Sequence, residues 1–154
     1  MSEPLHVALW EPEIPPNTGN IARLCAATGT VLHLIGRIGF RLDERSLQRA
    51  GVDYWKAVLW ERHDALEEFE ERMRGARLYC FSAHAKQCYT GVAYQAGDGL
   101  LFGGESHGLP AGVIERYGDR ALHIPMTAGG VRSLNLATAV GIALYEALRQ
   151  VNGW

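Results

Sequence analysis

The chain has 154 residues, of which 47% are hydrophobic and 21% charged, and its formal net charge is -2. This size and composition predict one domain, residues 1–154, with a genuine hydrophobic core. No run approaches the roughly 18–20 apolar residues needed to cross a bilayer, and the N-terminus lacks a signal peptide, so we expect a cytoplasmic protein. Three cysteines (Cys25, Cys80 and Cys88) without a C-x-x-C pair indicate neither a disulfide framework nor a zinc site.

The first predicted elements form a β-α-β unit. Residues 5–10 and 30–35 are apolar runs that predict buried strands. The helix between them would be capped by Asn17 or Thr18 at its start. Gly29 would end it, because glycine suits the left-handed conformation that follows many helices.

The remaining elements continue the alternation of strands and helices. In chain order they are a short helix over residues 43–50, a strand over 56–60, a helix over 63–74, strands over 78–82 and 99–102, a short helix over 110–117, a strand over 121–124 and a last helix over about 133–151. Such alternation predicts an α/β domain with a mostly parallel sheet and helices on both faces.

The last helix differs from the others because it is apolar on nearly all sides. Its two apolar stripes consist of Leu134, Ala137, Gly141, Leu144, Leu148 and Val151, and of Leu136, Val140, Ala143 and Ala147. A helix of this kind must be covered on nearly all sides. In so small a chain the second cover is predicted to be another copy, which makes a homodimer.

The charges are distributed unevenly. Residues 61–74 contain six acidic side chains and three arginines, so the rest of the chain has a net charge of +1. In that remainder four arginines recur at every fourth position, namely Arg37, Arg41, Arg45 and Arg49. This series fits either a solvated surface stripe or a phosphate-binding surface.

Several common sites are excluded by their patterns. Residues 102–108 read FGGESHG, which lacks the G-x-G-x-x-G spacing of a dinucleotide loop, and the chain has no G-K-[ST] of a P-loop. The G-E-S-H-G within this run matches the bare nucleophile-elbow pattern, but an α/β-hydrolase needs a longer chain with an Asp and a His following in order. No grouping of His, Asp and Glu has metal-ligand spacing, so we expect no metal.

Three polar or glycine-rich segments each lie between a predicted strand and a predicted helix: residues 11–23, 101–110 and 124–135. Open α/β folds build ligand sites where strand-end loops meet helix N-termini, because free backbone N–H groups and the helix dipole point outward there. The three segments are therefore predicted to form one pocket.

The three segments resemble the motifs of the SpoU-type RNA ribose 2′-O-methyltransferases of the SPOUT superfamily. The resemblance is carried by residues 15–21 with Arg23, by Phe102, Gly103 and Glu105 with residues 108–110, and by residues 124–126 with residues 133–135. Their order and spacing match over essentially the whole chain. Within the family, the nearest match is to the small enzymes that methylate the wobble cytidine or uridine of leucine tRNAs.

The resemblance implies a C-terminal deep trefoil knot, which is an exception to the rule that chains do not thread their own loops. It also implies that S-adenosylmethionine binds in the knot, at a homodimer interface packed partly by the last helix. The implied cofactor-binding residues are Phe81, Gly103, Ile124, Met126, Ser133 and Leu134.

The resemblance also implies the catalytic residues Arg23, Asn17, Glu105 and Asn135. A guanidinium is essentially always protonated, so we expect Arg23 to orient a phosphate and stabilise developing oxyanion charge rather than to remove a proton. Asn17 and Asn135 would hold Arg23 or the ribose, and Glu105 would orient the guanidinium.

The chain has no appended RNA-binding domain, so its own surface would grip the anticodon stem-loop of tRNA. The predicted phosphate contacts are Arg37, Arg41, Arg45, Arg49, Lys86 and Arg132. Two other functions remain open at this point: ribose methylation at another tRNA or rRNA site, and a non-catalytic RNA-binding dimer.

Two features depart from the family pattern. Gly104 stands where relatives commonly have Pro, Asn or Ser, and residues 127–131 make a loop one residue longer than usual. With these departures, we expect the two loops to be less ordered before the cofactor binds.

Overall fold

The computed structural model describes residues 3–40 and 55–154. The predicted helix over residues 43–50 lies outside the described residues. So do three of the residues predicted to bind RNA, namely Arg41, Arg45 and Arg49. No helix in the described part of the chain combines the length and apolarity that crossing a membrane would require.

Seven strands form one sheet, and every pairing between them is parallel. They are β1 (His6–Trp10), β2 (Val31–Ile35), β3 (Trp60–His63), β4 (Leu78–Phe81), β5 (Gln87–Cys88), β6 (Gly99–Gly103) and β7 (Ala121–His123). Their order across the sheet is β3-β2-β1-β6-β4-β7-β5. The mostly parallel sheet predicted from the sequence is confirmed.

Four α-helices are described: α1 (Pro15–Thr28), α2 (Leu66–Arg72), α3 (Ala111–Tyr117) and α4 (Leu136–Asn152). Gly29 follows α1 with φ 68°, and its N–H donates to the carbonyl of Cys25, so the predicted glycine stop is confirmed. Asn135 caps α4, where its side chain accepts a hydrogen bond from the N–H of Thr138.

The helices cover both faces of the sheet, because strand residues alternate between two apolar clusters. On β1, Val7 and Leu9 pack in the cluster that holds the buried sides of α1 and α4. Ala8 belongs to the other cluster, with Phe69 of α2 and Tyr117 of α3. The layered α/β arrangement leaves the carboxyl ends of the strands at one edge of the sheet, where the three motif segments lie.

Five sequence predictions were wrong in detail, and the first two concern α1 and β3. Asn17 and Thr18 do not cap α1: the helix begins at Pro15 with Ile14 at the cap position, since the two prolines fit the first turn of a helix. The third strand is Trp60–His63, because residues 55–57 form a 3₁₀ turn.

The other three errors concern β5 and the starts of two helices. β5 was missed because it has only two residues. The helix predicted from residue 63 begins at Leu66, and the last helix begins at Leu136 rather than at residue 133.

Candidate active site

A cavity of about 620 Å³ opens at the carboxyl ends of β4, β6 and β7. This volume is within the roughly 300–1,000 Å³ typical of small-molecule sites. Its wall is formed mainly by three loops: residues 81–84 at the end of β4, residues 102–109 at and after β6, and residues 132–136 before and at the start of α4. Ile124 and Met126, after β7, also line it. The second and third motif segments, residues 101–110 and 124–135, therefore meet here as predicted, whereas no residue of the first segment, residues 11–23, lines the cavity.

All six residues predicted to bind the cofactor line this cavity; they are Phe81, Gly103, Ile124, Met126, Ser133 and Leu134. Phe81 also stacks on Phe102, another lining residue, with ring centroids 4.6 Å apart and planes 10° from parallel. The cavity therefore combines apolar walls with glycine and serine main chain, a mixture that suits a flat heterocycle with polar substituents.

Gly103 is required by a close approach of main chains. A Cβ at this position would lie 2.1 Å from the carbonyl carbon of Gly108 and 2.3 Å from the nitrogen of Leu109. The loop folds back on itself here, and the N–H of Gly108 donates to the carbonyl of Gly104 at 2.9 Å. The glycines thus shape the wall of the cavity and do more than make room for a ligand.

Glu105 joins the cavity wall to the start of α1. Its Oε1 accepts a hydrogen bond from the N–H of Glu13 at 2.8 Å, and its Oε2 accepts from the N–H of Ile14 at 2.9 Å and from Nδ2 of Asn17 at 3.1 Å. Asn135 donates from Nδ2 to Oδ1 of Asn17 at 3.1 Å. The three predicted polar residues therefore form one chain of hydrogen bonds that ties all three motif segments together.

Arg23 lies farther along α1, is exposed, and is not among the residues that line the cavity of its own chain. Six residues at about 1.5 Å each place it about 9 Å along the helix axis from Asn17. Of the described residues predicted to bind RNA, Arg132 lines the cavity, whereas Arg37 and Lys86 are exposed outside it. Lys86 follows the 81–84 loop closely in sequence.

The sequence analysis missed several lining residues. The most polar of these are Ser82, His84, Ser106 and His107. The first two follow β4, and their position after a buried strand was the only available signal. Ser106 and His107 lie inside the motif segment, but the only pattern they match, the bare nucleophile elbow, was set aside and does not indicate a cofactor cavity.

A second polar cluster lies away from the cavity, on β1, β2 and β3. We call His6, His33 and His63 the histidine ladder. Nδ1 of His6 lies 2.9 Å from Nε2 of His33, and Nδ1 of His33 lies 2.9 Å from Nε2 of His63. Burial lowers the pKa of all three imidazoles and so favours their neutral form, in which each step can carry one N–H···N hydrogen bond.

The histidine ladder also brings potential metal ligands together, which the sequence spacing did not predict. Oε1 of Glu61 lies 3.8 Å from both Nδ1 of His33 and Nε2 of His63. However, Arg72 donates to both oxygens of Glu61 at 2.9 and 2.8 Å, and the imidazole nitrogens already bond to each other. Because every ligand atom has a protein partner and a guanidinium adjoins the cluster, we assign no ion to it.

Comparison with known proteins identifies the family. Residues 4–145 match the model of the SpoU rRNA Methylase family. The chain belongs to this family.

Close relatives that align with the chain over nearly their full length are named as tRNA methyltransferases. The tRNA (cytidine(34)-2′-O)-methyltransferase of Escherichia coli strain K12 is 43% identical, with 96% of this chain and 94% of the relative aligned. A structure solved in work on "the 2-OH methylation of C/U34 on tRNA" is 50% identical, covers 99% of both chains and gives a TM-score of 0.91.

A more distant SpoU methyltransferase was solved with its cofactor. AviRb from Streptomyces viridochromogenes, in complex with AdoMet, is 27% identical and gives a TM-score of 0.80 over 97% of this chain and 61% of that one. The seven-stranded parallel sheet with its helices is therefore the fold of the SpoU methyltransferases.

Proposed function

We propose that this protein transfers a methyl group from S-adenosylmethionine to the ribose 2′-oxygen of the wobble cytidine or uridine, nucleotide 34, of tRNA, with leucine isoacceptors as the expected substrates. The observation that carries the proposal is that the second and third motif segments line one cavity and that the hydrogen bonds of Glu105 hold the first segment against them. Support for the substrate comes from relatives that are named for this reaction and align over nearly the whole chain. A tRNA substrate implies a cytoplasmic location.

The cavity fits the cofactor in size and chemistry. Phe81, Ile124 and Leu134 provide apolar surface for an adenine ring, and Ser133 provides polar groups for a nucleoside. When bound, S-adenosylmethionine supplies a methyl group activated by a positively charged sulfur. The residues of the chain have to orient the nucleotide and exclude competing water.

Arg23 is proposed to act on the nucleotide rather than on the cofactor. Its guanidinium would hold a phosphate of the RNA and stabilise negative charge as the 2′-hydroxyl loses its proton. Asn17 and Asn135, fixed to each other at 3.1 Å, would position the ribose at the mouth of the cavity. Glu105 would support both by holding the start of α1 through its main-chain N–H groups.

The proposal includes a homodimer and the trefoil knot of the family. On α4, a Cβ added to Gly141 would have no atom within 4 Å, Tyr145 is 47% exposed, and Trp154 beyond the helix is 67% exposed. A second copy would cover this surface and could bring its own α1 to the cavity. The TM-score of 0.91 to a relative of equal length supports the knot.

A leucine at Gly141 tests the dimer. We expect Gly141→Leu to halve the mass measured by light scattering after size exclusion, because the bulky side chain would keep two α4 helices apart. Gly112→Leu is the matched control, since Gly112 is an exposed helical glycine that also has open space around it. Equal masses for wild type and Gly141→Leu would rule out this interface.

The reaction is tested by incubating the protein with methyl-labelled cofactor and total tRNA and mapping the labelled nucleotides. We expect label at nucleotide 34, and we expect Arg23→Ala to lower kcat roughly 100- to 1,000-fold, the loss typical for one oxyanion-stabilising group. Cofactor affinity should be unchanged in this variant. Label at another nucleotide of tRNA, or in rRNA, would mean that the enzyme methylates a different substrate from the one proposed. No transfer at all would favour the non-catalytic RNA-binding dimer.

A further inference from the structure

Two carboxylates form a reciprocal pair between the first and second motif segments. Glu105 accepts hydrogen bonds from the main-chain N–H groups of Glu13 and Ile14. In return, Oε1 of Glu13 accepts from the N–H of Ser106 at 2.9 Å, and Oε2 of Glu13 accepts from Oγ of Ser106 at 2.8 Å. We call Glu13, Glu105 and Ser106 the carboxylate clasp. Each carboxylate holds the main chain that carries the other one, across more than 90 residues of sequence.

The clasp acts on the part of the cavity wall that has the least conformational restraint of its own. The wall segment from Gly103 to Gly108 includes three glycines, and glycine restricts the backbone less than any other residue. Gly103 and Gly104 are fixed by close main-chain approach, and Gly108 bonds back to Gly104. The middle of the segment, at Ser106, is held from outside by the side chain of Glu13.

Glu13 is suited to this task by its charge. An ionised carboxylate only accepts hydrogen bonds, so both of its oxygens can serve the two donors of Ser106 at once. These hydrogen bonds lower the pKa of Glu13, which keeps the group ionised at neutral pH. Hydrogen bonds to an ionised partner are also roughly twice as strong as neutral ones.

We propose that Glu13 is a positioning residue of the methyl-donor site: it holds the Gly103–Gly108 wall in its cofactor-binding shape before the cofactor arrives. Glu13 does not line the cavity, so it acts through Ser106 and the adjoining main chain. Gly104 does little to restrict the backbone of this loop, so the hydrogen bonds of the carboxylate clasp are what order it. The inference rests on the proposed cofactor, and a wall that is already in place lowers the cost of ordering on binding.

Four variants grade the contact. Glu13→Ala removes both acceptors, and Ser106→Ala removes the hydroxyl donor only. Glu13→Gln keeps a neutral version of both bonds, because its oxygen accepts from the N–H and its amide donates to the hydroxyl. Ser106→Thr retains the hydroxyl. Glu115→Ala on α3 is the control, an exposed glutamate that does not line the cavity.

The measurement is the Kd of S-adenosylmethionine by titration calorimetry, with no RNA present. We expect Glu13→Ala to raise Kd about tenfold, which corresponds to about 1.4 kcal/mol. Ser106→Ala and Glu13→Gln should raise it less than Glu13→Ala does, Ser106→Thr should raise it less than Ser106→Ala does because it keeps the hydroxyl, and Glu115→Ala should change it less than twofold. The Glu13→Ala/Ser106→Ala double variant should bind like Glu13→Ala alone, because the two side chains act as a unit.

Hydrogen exchange and turnover distinguish positioning from general destabilisation. In Glu13→Ala the amides of residues 104–108 should exchange faster in the free protein and recover protection at saturating cofactor, while kcat at saturation stays within twofold. The milder variants keep the comparison possible if Glu13→Ala folds poorly.

An unchanged Kd in Glu13→Ala, an equal effect of Glu115→Ala, or additive effects of the Glu13 and Ser106 variants would overturn the inference. If the wild-type protein does not bind S-adenosylmethionine at all, the proposed function fails together with it. If the wild type binds S-adenosylmethionine and the Glu13 and Ser106 variants bind it with the same Kd, the proposed function stands and the positioning role of Glu13 is wrong.

Discussion

The cavity edge and the histidine ladder are both networks of polar side chains that join distant segments, but they differ in what they surround. Around the cavity, Glu105 and Asn135 line an open volume of about 620 Å³, and the buried Asn17 links them by hydrogen bonds. In the ladder, His33 is fully buried and packs edge-on against the ring of Phe69. Polar residues that enclose space can bind a ligand, whereas polar residues that satisfy one another under an apolar cover hold strands together.

The sharpest way to break the cavity is to substitute Gly103. In Gly103→Ala the new Cβ would overlap the main chain of Gly108 and Leu109, which cannot move aside like a flexible side chain. We expect a loss of about 1–3 kcal/mol of unfolding free energy, the usual cost of overpacking. We also expect cofactor affinity to fall at least about tenfold, because a displaced wall loses contacts worth about 1.4 kcal/mol.

Gly112→Ala is the control for this change, because nothing lies within 4 Å of its Cβ position. It should be neutral or stabilise the protein by up to about 1 kcal/mol, since alanine favours helix more than glycine does. Denaturant unfolding and cofactor titration of both variants make the comparison. Similar behaviour of the two alanine variants would show that the Gly103 turn does not need glycine.

The histidine ladder should affect how the free energy of unfolding depends on pH rather than how the protein binds ligands. Burial lowers the pKa of His33 and also that of His6 from an ordinary value of 6.5, with Arg72 adding repulsion and Glu61 opposing the shift. The unfolded state therefore binds more protons than the folded state once the pH falls below about 6.5. Stability should decrease with acidification, by up to about 1.4 kcal/mol per pH unit for each such histidine.

Urea unfolding at pH 7.5 and 5.5 measures this slope. His33→Gln should be less stable at both pH values but should lose less on acidification than wild type, since one titrating group is gone. His84→Gln, whose side chain is exposed at the cavity, should keep the wild-type slope. A slope in His33→Gln as steep as in wild type would show that the ladder does not control acid sensitivity.

Local patterns in the sequence were sufficient for the framework of the fold. The mostly apolar and β-branched run of β2 predicted a buried strand, and Gly29 marked the end of α1. The error at residues 56–60 has a tertiary cause: the strand begins where Trp60 pairs with Leu32 of β2, and sequence alone does not give that register. Propensity is a weak guide where pairing with a neighbouring strand decides.

The motifs predicted residues that line the site. They did not predict which of its side chains are joined by hydrogen bonds. Asn17 has the chemistry of a helix cap, yet its partner is Glu105, 88 residues away. The ladder joins histidines 27 and 30 residues apart, and Glu13 gave no signal at all. Such contacts depend on which strand ends become neighbours, so spacing along the chain cannot reveal them.

The smallest expected effects come from two arginines, one in each network. Arg72→Ala removes a half-exposed pair with Glu61 beside the ladder and should cost at most about 1 kcal/mol of unfolding free energy. RNA affinity should not change. Arg132→Ala, at the cavity, should leave stability within about 0.5 kcal/mol, because its side chain is exposed.

Arg132→Ala should instead reduce the slope of log Kobs for tRNA against log salt concentration by about 1, the amount expected for one lost phosphate contact. Filter binding or fluorescence anisotropy at several salt concentrations measures that slope, and urea unfolding supplies the other half of the comparison. The two networks have separate roles only if Arg72→Ala affects the free energy of unfolding alone and Arg132→Ala affects the tRNA salt slope alone. A change in the tRNA salt slope in Arg72→Ala would mean that the ladder side also faces RNA, and an unchanged slope in Arg132→Ala would remove this residue from the RNA surface.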